Sequence, residues 1–198
     1  MLIVITGPSG VGKTTIIKSL LKADSNLRYS VSLTTRPPRT RERDGVDYRF
    51  ISTEEFLEKV RNDEFAEWSE VYGRYYGRLK KDLEEMARFG DVLVGIDVQG
   101  AMKLQHIYPY GVFIFLLPKS ETALEAQLRK RRTEDETTIK VRLDAAIQEM
   151  EKADSFDYKV VNNLVSETVK EIQSIIAAEK RKLFGKKACG GLRPLDGG

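Results

Sequence analysis

The chain opens on an apolar run, Leu2-Ile3-Val4-Ile5, that passes directly into Gly7-Pro-Ser-Gly-Val-Gly-Lys-Thr14. No other stretch restricts the fold as strongly. Gly7, Gly10 and Gly12 allow backbone conformations closed to other residues, so that successive N–H groups can curl around an anion. Ile16, Ile17, Leu20 and Leu21 then recur at helical spacing. A buried strand, a glycine turn and a helix with its positive end toward the turn make a phosphate cradle. The spacing is G-x-x-x-x-G-K-[ST], in which the lysine reaches the outer phosphates of a nucleoside triphosphate and the hydroxyl can ligate Mg²⁺. Gly7, Pro8, Ser9, Gly10, Val11, Gly12, Lys13, Thr14 and Thr15 are therefore the candidates for holding the triphosphate.

The remaining pattern predicts strand–helix alternation with one interruption. Ser30-Val-Ser-Leu-Thr-Thr35 is rich in β-formers and is cut off by Arg36-Pro-Pro-Arg39. Val46 to Ile51 alternates as a strand, Ser52-Thr-Glu-Glu55 is a capping box for a short helix, and Glu64 to Tyr72 is strand-like before a turn at Gly73. Residues of about 30–77 thus read as an inserted subdomain. Leu79, Leu83 and Met86 mark a helix ending at Gly90. Val92–Ile96 and Val112–Leu117 are apolar throughout, as suits parallel strands buried on both faces, and Tyr158–Val161 is a fifth core strand. Charged helices are expected at about 120–132 and 137–152, and a last one from about Ser166 to Leu183.

The expected fold is α/β: a P-loop NTPase-type core with a parallel five-stranded sheet and helices on both faces. The core takes residues 1–31, 79–119 and 150–183 of one domain, 1–183. The subdomain takes about 32–78, a helical lid about 120–149, and 184–198 form a flexible, basic, Gly-rich tail.

Composition narrows the partners. No run approaches the roughly 20 apolar residues of a membrane span, and no leader precedes the first strand. The single cysteine, Cys189, cannot make an internal disulfide. A cytoplasmic protein with no membrane partner is expected, as a monomer or a homo-oligomer. The net charge of +3 is unevenly placed: residues 180–198 hold six lysines and arginines against Asp196, a local +5 that leaves −2 for the rest. The body is therefore no basic platform for nucleic acid.

Two arginine clusters stand apart from the glycine loop: Arg36, Arg39, Arg41 and Arg43 in the subdomain, and Arg129, Arg131, Arg132 and Arg142 in the late helical pair. The planar guanidinium fork suits phosphate. Two clusters around one triphosphate site point to two phosphorylated substrates. His106, the only histidine, reads as a surface or packing residue, and no nucleophile–base pair is evident. A phosphate acceptor needs no strong base, because its oxygen is already anionic; alignment and charge neutralisation suffice.

Ser32-Leu-Thr-Thr-Arg-Pro-Pro-Arg39, Glu42, Asp44-Gly-Val-Asp-Tyr48, Glu64-Phe-Ala-Glu-Trp68 and Tyr75-Tyr-Gly77 resemble guanylate kinases in order and spacing. Ile96-Asp-Val-Gln-Gly100, the Arg131/Arg142 pair and Val160-Val-Asn162 extend the resemblance over about residues 2–182. It implies phosphorylation of GMP, and of dGMP, by ATP with Mg²⁺ in purine nucleotide metabolism. It also implies roles. Arg36, Arg39, Tyr48 and Tyr76 would hold the GMP phosphate, with Glu42 orienting the arginines. Ser32 would donate to guanine O6, and Glu67 would accept from N1–H and the 2-amino group. Lys13, Arg131 and Arg142 would neutralise the transferring phosphoryl group, Asn162 would lie near the adenine end of ATP, and Thr14 and Asp97, the latter through water, would serve Mg²⁺.

Four positions depart from the resemblance. Arg78 stands where similar enzymes usually carry a small hydroxyl residue against guanine, and can itself donate to O6. Gly95 replaces an acidic residue, Arg132 a glycine and Asn163 an aspartate. Two alternatives stay open on the sequence: a kinase of the same fold for another phosphorylated acceptor such as a ribose bisphosphate, and a non-catalytic protein-binding module.

Overall fold

A computed structural model describes residues 1–40, 42–71, 73–129 and 136–189. The first half runs β1 (Leu2–Thr6), α1 (Lys13–Ala23), β2 (Leu27–Tyr29), β3 (Leu33–Thr34), β4 (Arg49–Phe50), α2 (Thr53–Arg61), β5 (Phe65–Val71), β6 (Arg74–Leu79) and α3 (Lys80–Ala87). The second runs β7 (Asp91–Gly95), α4 (Val98–Ile107), β8 (Val112–Pro118), α5 (Glu121–Arg129), α6 (Glu136–Met150), β9 (Tyr158–Asn162) and α7 (Val165–Cys189).

The five strands β2-β7-β1-β8-β9 form a parallel sheet with β1 at its centre. Ile3, Val4, Ile5, Leu93, Val94, Ile114 and Phe115 are wholly buried, because helices cover both faces. One face packs on Ile16, Ile17 and Leu20 of α1 and Val169, Ile172 and Ile176 of α7. The other packs on Leu83 of α3 and Val98, Ala101 and Leu104 of α4. The glycine loop leaves the carboxyl end of the central strand, where ligands of open α/β sheets bind.

A second sheet, β4-β3-β6-β5, carries the inserted residues. Its small core is Leu33, Phe56 and Phe65, with the two phenyl rings stacked at 4.4 Å. Ser52 caps α2 by accepting from Glu55 N–H at 3.0 Å, as the capping box predicts. Leu124, Leu128, Leu143 and Ala146 of α5 and α6 make a separate cluster. Among the described residues no helix is long and apolar enough to cross a membrane.

Several boundaries differ from expectation. The edge strand of the main sheet is Leu27–Tyr29, and the β-rich run after it crosses over so that Leu33–Thr34 joins the second sheet. Val46 to Ile51 is not one strand; only Arg49–Phe50 forms one, with Tyr48 in an isolated bridge to Asp44. Carboxylates divert the neighbouring amides: Arg43 N–H donates to Asp47 Oδ2 at 3.0 Å and Phe50 N–H to Asp44 Oδ1 at 2.9 Å. Leu79 ends β6 and caps α3 rather than lying in the helix. The final helix continues past Leu183 to Cys189, so the tail expected from residue 184 starts as helix. Gly185, the one glycine in this helix, costs only about 1 kcal/mol against alanine.

Candidate active site

The glycine loop adopts the shape its residues demand. Gly7 lies at φ 137° and Gly12, the residue before α1, at φ 100°. A Cβ on Gly7 would lie 2.4 Å from Leu116 O, and one on Gly12 2.7 Å from Asn162 Nδ2. No side chain caps α1, whose positive end favours an anion; Thr15 and Ile16 N–H donate to Gly12 O, and Thr14 and Thr15 side chains stand exposed there. Lys13 curls back over the loop, its Nζ donating to Gly7 O at 2.6 Å and Pro8 O at 3.1 Å. Asn162, at the end of β9, donates to Val11 O at 2.7 Å and accepts from Thr168 Oγ1 at 3.2 Å. It braces the loop directly.

Glu149 of α6, which sequence reasoning passed over, also reaches the loop. Ser9 N–H donates to its Oε2 at 3.3 Å. Burial pushes this carboxyl up, against the pull of Lys13. Arg142 lies seven residues earlier on the same helix, about 10 Å along its axis. That i, i+7 spacing, placing both on one face, is the signal that could have drawn attention to Glu149. Arg41, Arg131 and Arg132 lie outside the described residues.

The subdomain gathers the other candidates. Arg36 grips Glu42 with both arms of its fork, at 2.8 and 2.9 Å, and Glu42 Oε2 also accepts from Arg39 N–H at 2.8 Å. The Arg36 guanidinium lies 5.3 Å from the Tyr48 ring centroid, and Tyr48 meets Tyr76 edge-on at 6.1 Å. Burial pushes the Tyr48 phenol up to about 12, so it stays a neutral hydrogen-bond donor. Arg39 is exposed beside this group.

Ser32, Glu67 and Arg78 meet in a second cluster. Arg78, directly opposite Glu67 on the β5–β6 ladder, is wholly buried. It donates to Glu67 Oε1 at 3.1 Å, to Ser32 Oγ at 2.6 Å, to Ser30 O at 3.3 Å from two nitrogens, and to Gly95 O at 3.3 Å. Two departures noted in the sequence, Arg78 and Gly95, therefore touch. Burial raises the Glu67 carboxyl to about 7, with Arg78 pulling the other way.

Asp97 lies between the two halves. Its Oδ1 accepts from Gly100 N–H at 2.9 Å and caps α4, while Oδ2 accepts from Ser69 Oγ at 2.9 Å. Ser69 is a second residue missed in the sequence; it belongs to no chemical motif there and offered no signal. Among the described residues no group of three His, Cys, Asp or Glu could hold a metal ion unaided. A nucleotide-borne Mg²⁺ fits the donors present, since Mg²⁺ keeps several waters and takes few protein ligands beside phosphate.

Known proteins share this arrangement. The guanylate kinase family model matches residues 1–179. Curated relatives include a guanylate kinase of Carboxydothermus hydrogenoformans, 45% identical over 92% of this chain and 90% of its own. Another, of Thermotoga maritima, is 46% identical over 92% of this chain and 88% of its own. The crystal structure of guanylate kinase from Anaplasma phagocytophilum superposes with a TM-score of 0.74 at 35% identity, covering 90% of this chain and 85% of that one. A shikimate kinase from Bacteroides thetaiotaomicron, at 19% identity and a TM-score of 0.54 over 89% of this chain and 98% of its own, shares the fold alone. With the glycine loop, the second sheet and the helical pair in place, and with these matches spanning nearly all of it, the chain belongs to the guanylate kinase family.

Proposed function

We propose that this protein transfers the terminal phosphoryl group of ATP to GMP, releasing ADP and GDP. The observation that carries the reading is the buried Ser32/Glu67 pair of the subdomain, a hydroxyl and a carboxylate joined through Arg78. Guanine offers an acceptor at O6 and donors at N1 and the 2-amino group. Adenine offers neither donor and would leave a carboxylate unmatched, which is a costly mismatch. The same pair disfavours a ribose bisphosphate acceptor, which has no base edge to read. A non-catalytic scaffold has no need of Lys13 or Arg142.

Arg36, Arg39, Tyr48 and Tyr76 bind the acceptor phosphate, with Arg36 already oriented by Glu42. Lys13, whose Nζ is held over the loop by two carbonyls, moves to the donor phosphates. Thr14, and Asp97 through water, would hold Mg²⁺, which would neutralise charge on the phosphates. Arg131 and Arg142 complete the charge cage as the lid closes and excludes water. Asn162 holds the loop's shape beside the nucleotide. The family and the lone Cys189 support a cytoplasmic setting.

Glu67→Ala tests the base-reading step. KM for GMP should rise by about two orders of magnitude, the effect of losing hydrogen bonds to a charged group, while KM for ATP stays put. An unchanged KM for GMP would refute the assignment.

A further inference from the structure

The Ser32/Glu67 pair is already engaged. One guanidinium bonds both residues and is itself wholly buried. Arg78 is anchored from behind by Ser30 O and Gly95 O, so it is a fixture of the subdomain. Gly95 serves Arg78 through its carbonyl; its lack of a side chain answers to α1, since a Cβ there would lie 2.3 Å from Ile17 Cδ1.

What Arg78 leaves unused defines the ligand. Ser32 Oγ accepts from Arg78 Nη2, and an arginine has no acceptor to offer in return, so the serine's own proton remains to be given. Glu67 Oε1 is taken by Arg78 Nη1, whereas Oε2 accepts no hydrogen bond among the described residues. One donor, on Ser32, and one acceptor oxygen, on Glu67, are left unengaged by Arg78. Together they complement an adjacent acceptor and N–H donor, the O6/N1–H edge of a 6-oxopurine.

We propose that Arg78 sets acceptor specificity in this enzyme, by claiming one Glu67 oxygen and fixing the direction of the Ser32 proton, so that the site reads the 6-oxo/N1–H edge and gives little weight to the 2-amino group. The acceptor class is then 6-oxopurine nucleoside monophosphates, with IMP, which lacks the 2-amino group, a second substrate beside GMP. Arg78 acts as a positioning residue through Ser32 and Glu67. The inference rests on the assignment of those two residues to the base.

The test compares kcat/KM for GMP, IMP, AMP and UMP, with MgATP, in the unaltered protein and in Arg78→Ser and Arg78→Lys. In the unaltered protein GMP should exceed IMP by less than about tenfold, with AMP refused. Arg78→Ser returns Oε1 to the base, so the GMP-to-IMP ratio should rise by about tenfold or more, the contribution of one hydrogen bond to a charged group. The rise should appear in KM for IMP relative to GMP, a change that loss of stability alone would not produce. Arg78→Lys keeps a positive charge for Glu67 and guards against a variant that fails to fold; having no fork to span both partners, it should raise the ratio as well. GMP accepted but IMP refused by the unaltered protein would overturn this inference and leave the GMP assignment standing, as would a ratio indifferent to both substitutions. Refusal of GMP and IMP alike would overturn both.

Discussion

Replacing Arg78 by methionine isolates the energetics of the buried pair. The change removes the guanidinium from a site where Glu67 and Ser32 are also buried, so the carboxylate loses its counter-charge without gaining water. Breaking a buried ion pair from one side costs about 3–5 kcal/mol. For a chain of this size each kcal/mol shifts Tm by about 2–4 °C, giving a fall of about 6–20 °C. The cost should depend on pH. Burial already raises the Glu67 carboxyl to about 7 with Arg78 present, so the protonated carboxyl contributes stability. Because the folded-state value is raised, that stability is fully present below the unfolded value and is lost as pH climbs through 7. Without Arg78 the folded-state value rises further, and the loss on the alkaline side deepens. The Tm gap between the two proteins should therefore be small at pH 5, where Glu67 is protonated in both, and widen toward pH 8.5. Calorimetry at both pH values reads it. A gap that is the same at pH 5 and 8.5, or below about 1 kcal/mol at pH 8.5, would refute a buried charge pair here.

Lys13→Ala should lower stability by no more than about 2 kcal/mol, the bonds to the loop carbonyls being among those lost, yet lower kcat/KM about a thousandfold; near-parental turnover would remove Lys13 from the transferring phosphates. Asp97 carries a cap and a proposed outer-sphere role, and two substitutions separate them. Asp97→Asn keeps an oxygen for Gly100 N–H, so Tm should hold while phosphoryl transfer slows about 10–100-fold; Asp97→Ala should also lose about 1 kcal/mol of stability. Equal activity of Asp97→Asn and parent would limit Asp97 to capping. Glu42→Ala should release Arg36 and raise KM for GMP about tenfold with KM for ATP unchanged, measured by steady-state kinetics.

The fold was legible wherever chain-local chemistry decides it. Strands β1, β7 and β8 are apolar on both faces and could not be mistaken, and the glycine loop declares its strand and helix. The subdomain was harder because its strands are short. Leu33–Thr34 and Arg49–Phe50 exist only through pairing with distant partners, and carboxylates of Asp44 and Asp47 compete locally for the same amides. In the site, residue types foretold the phosphate groups, and the Arg36–Glu42 fork follows from charge six residues apart in one loop. The engagement of Arg78 was not legible. Its partners lie on β5, before β3 and on β7, three segments that only the folded chain assembles. The Glu149 contact to Ser9 spans 140 residues and depends on how α6 docks.

The central claim is phosphoryl transfer from ATP to a guanine nucleotide. A coupled assay of ADP release with MgATP, offering GMP, AMP, UMP, CMP and a ribose bisphosphate in parallel, tests it most directly. Rapid turnover with GMP, and none above background with AMP, UMP, CMP or the ribose bisphosphate, is the predicted result. Silence with GMP, or preference for the ribose bisphosphate, would contradict the account.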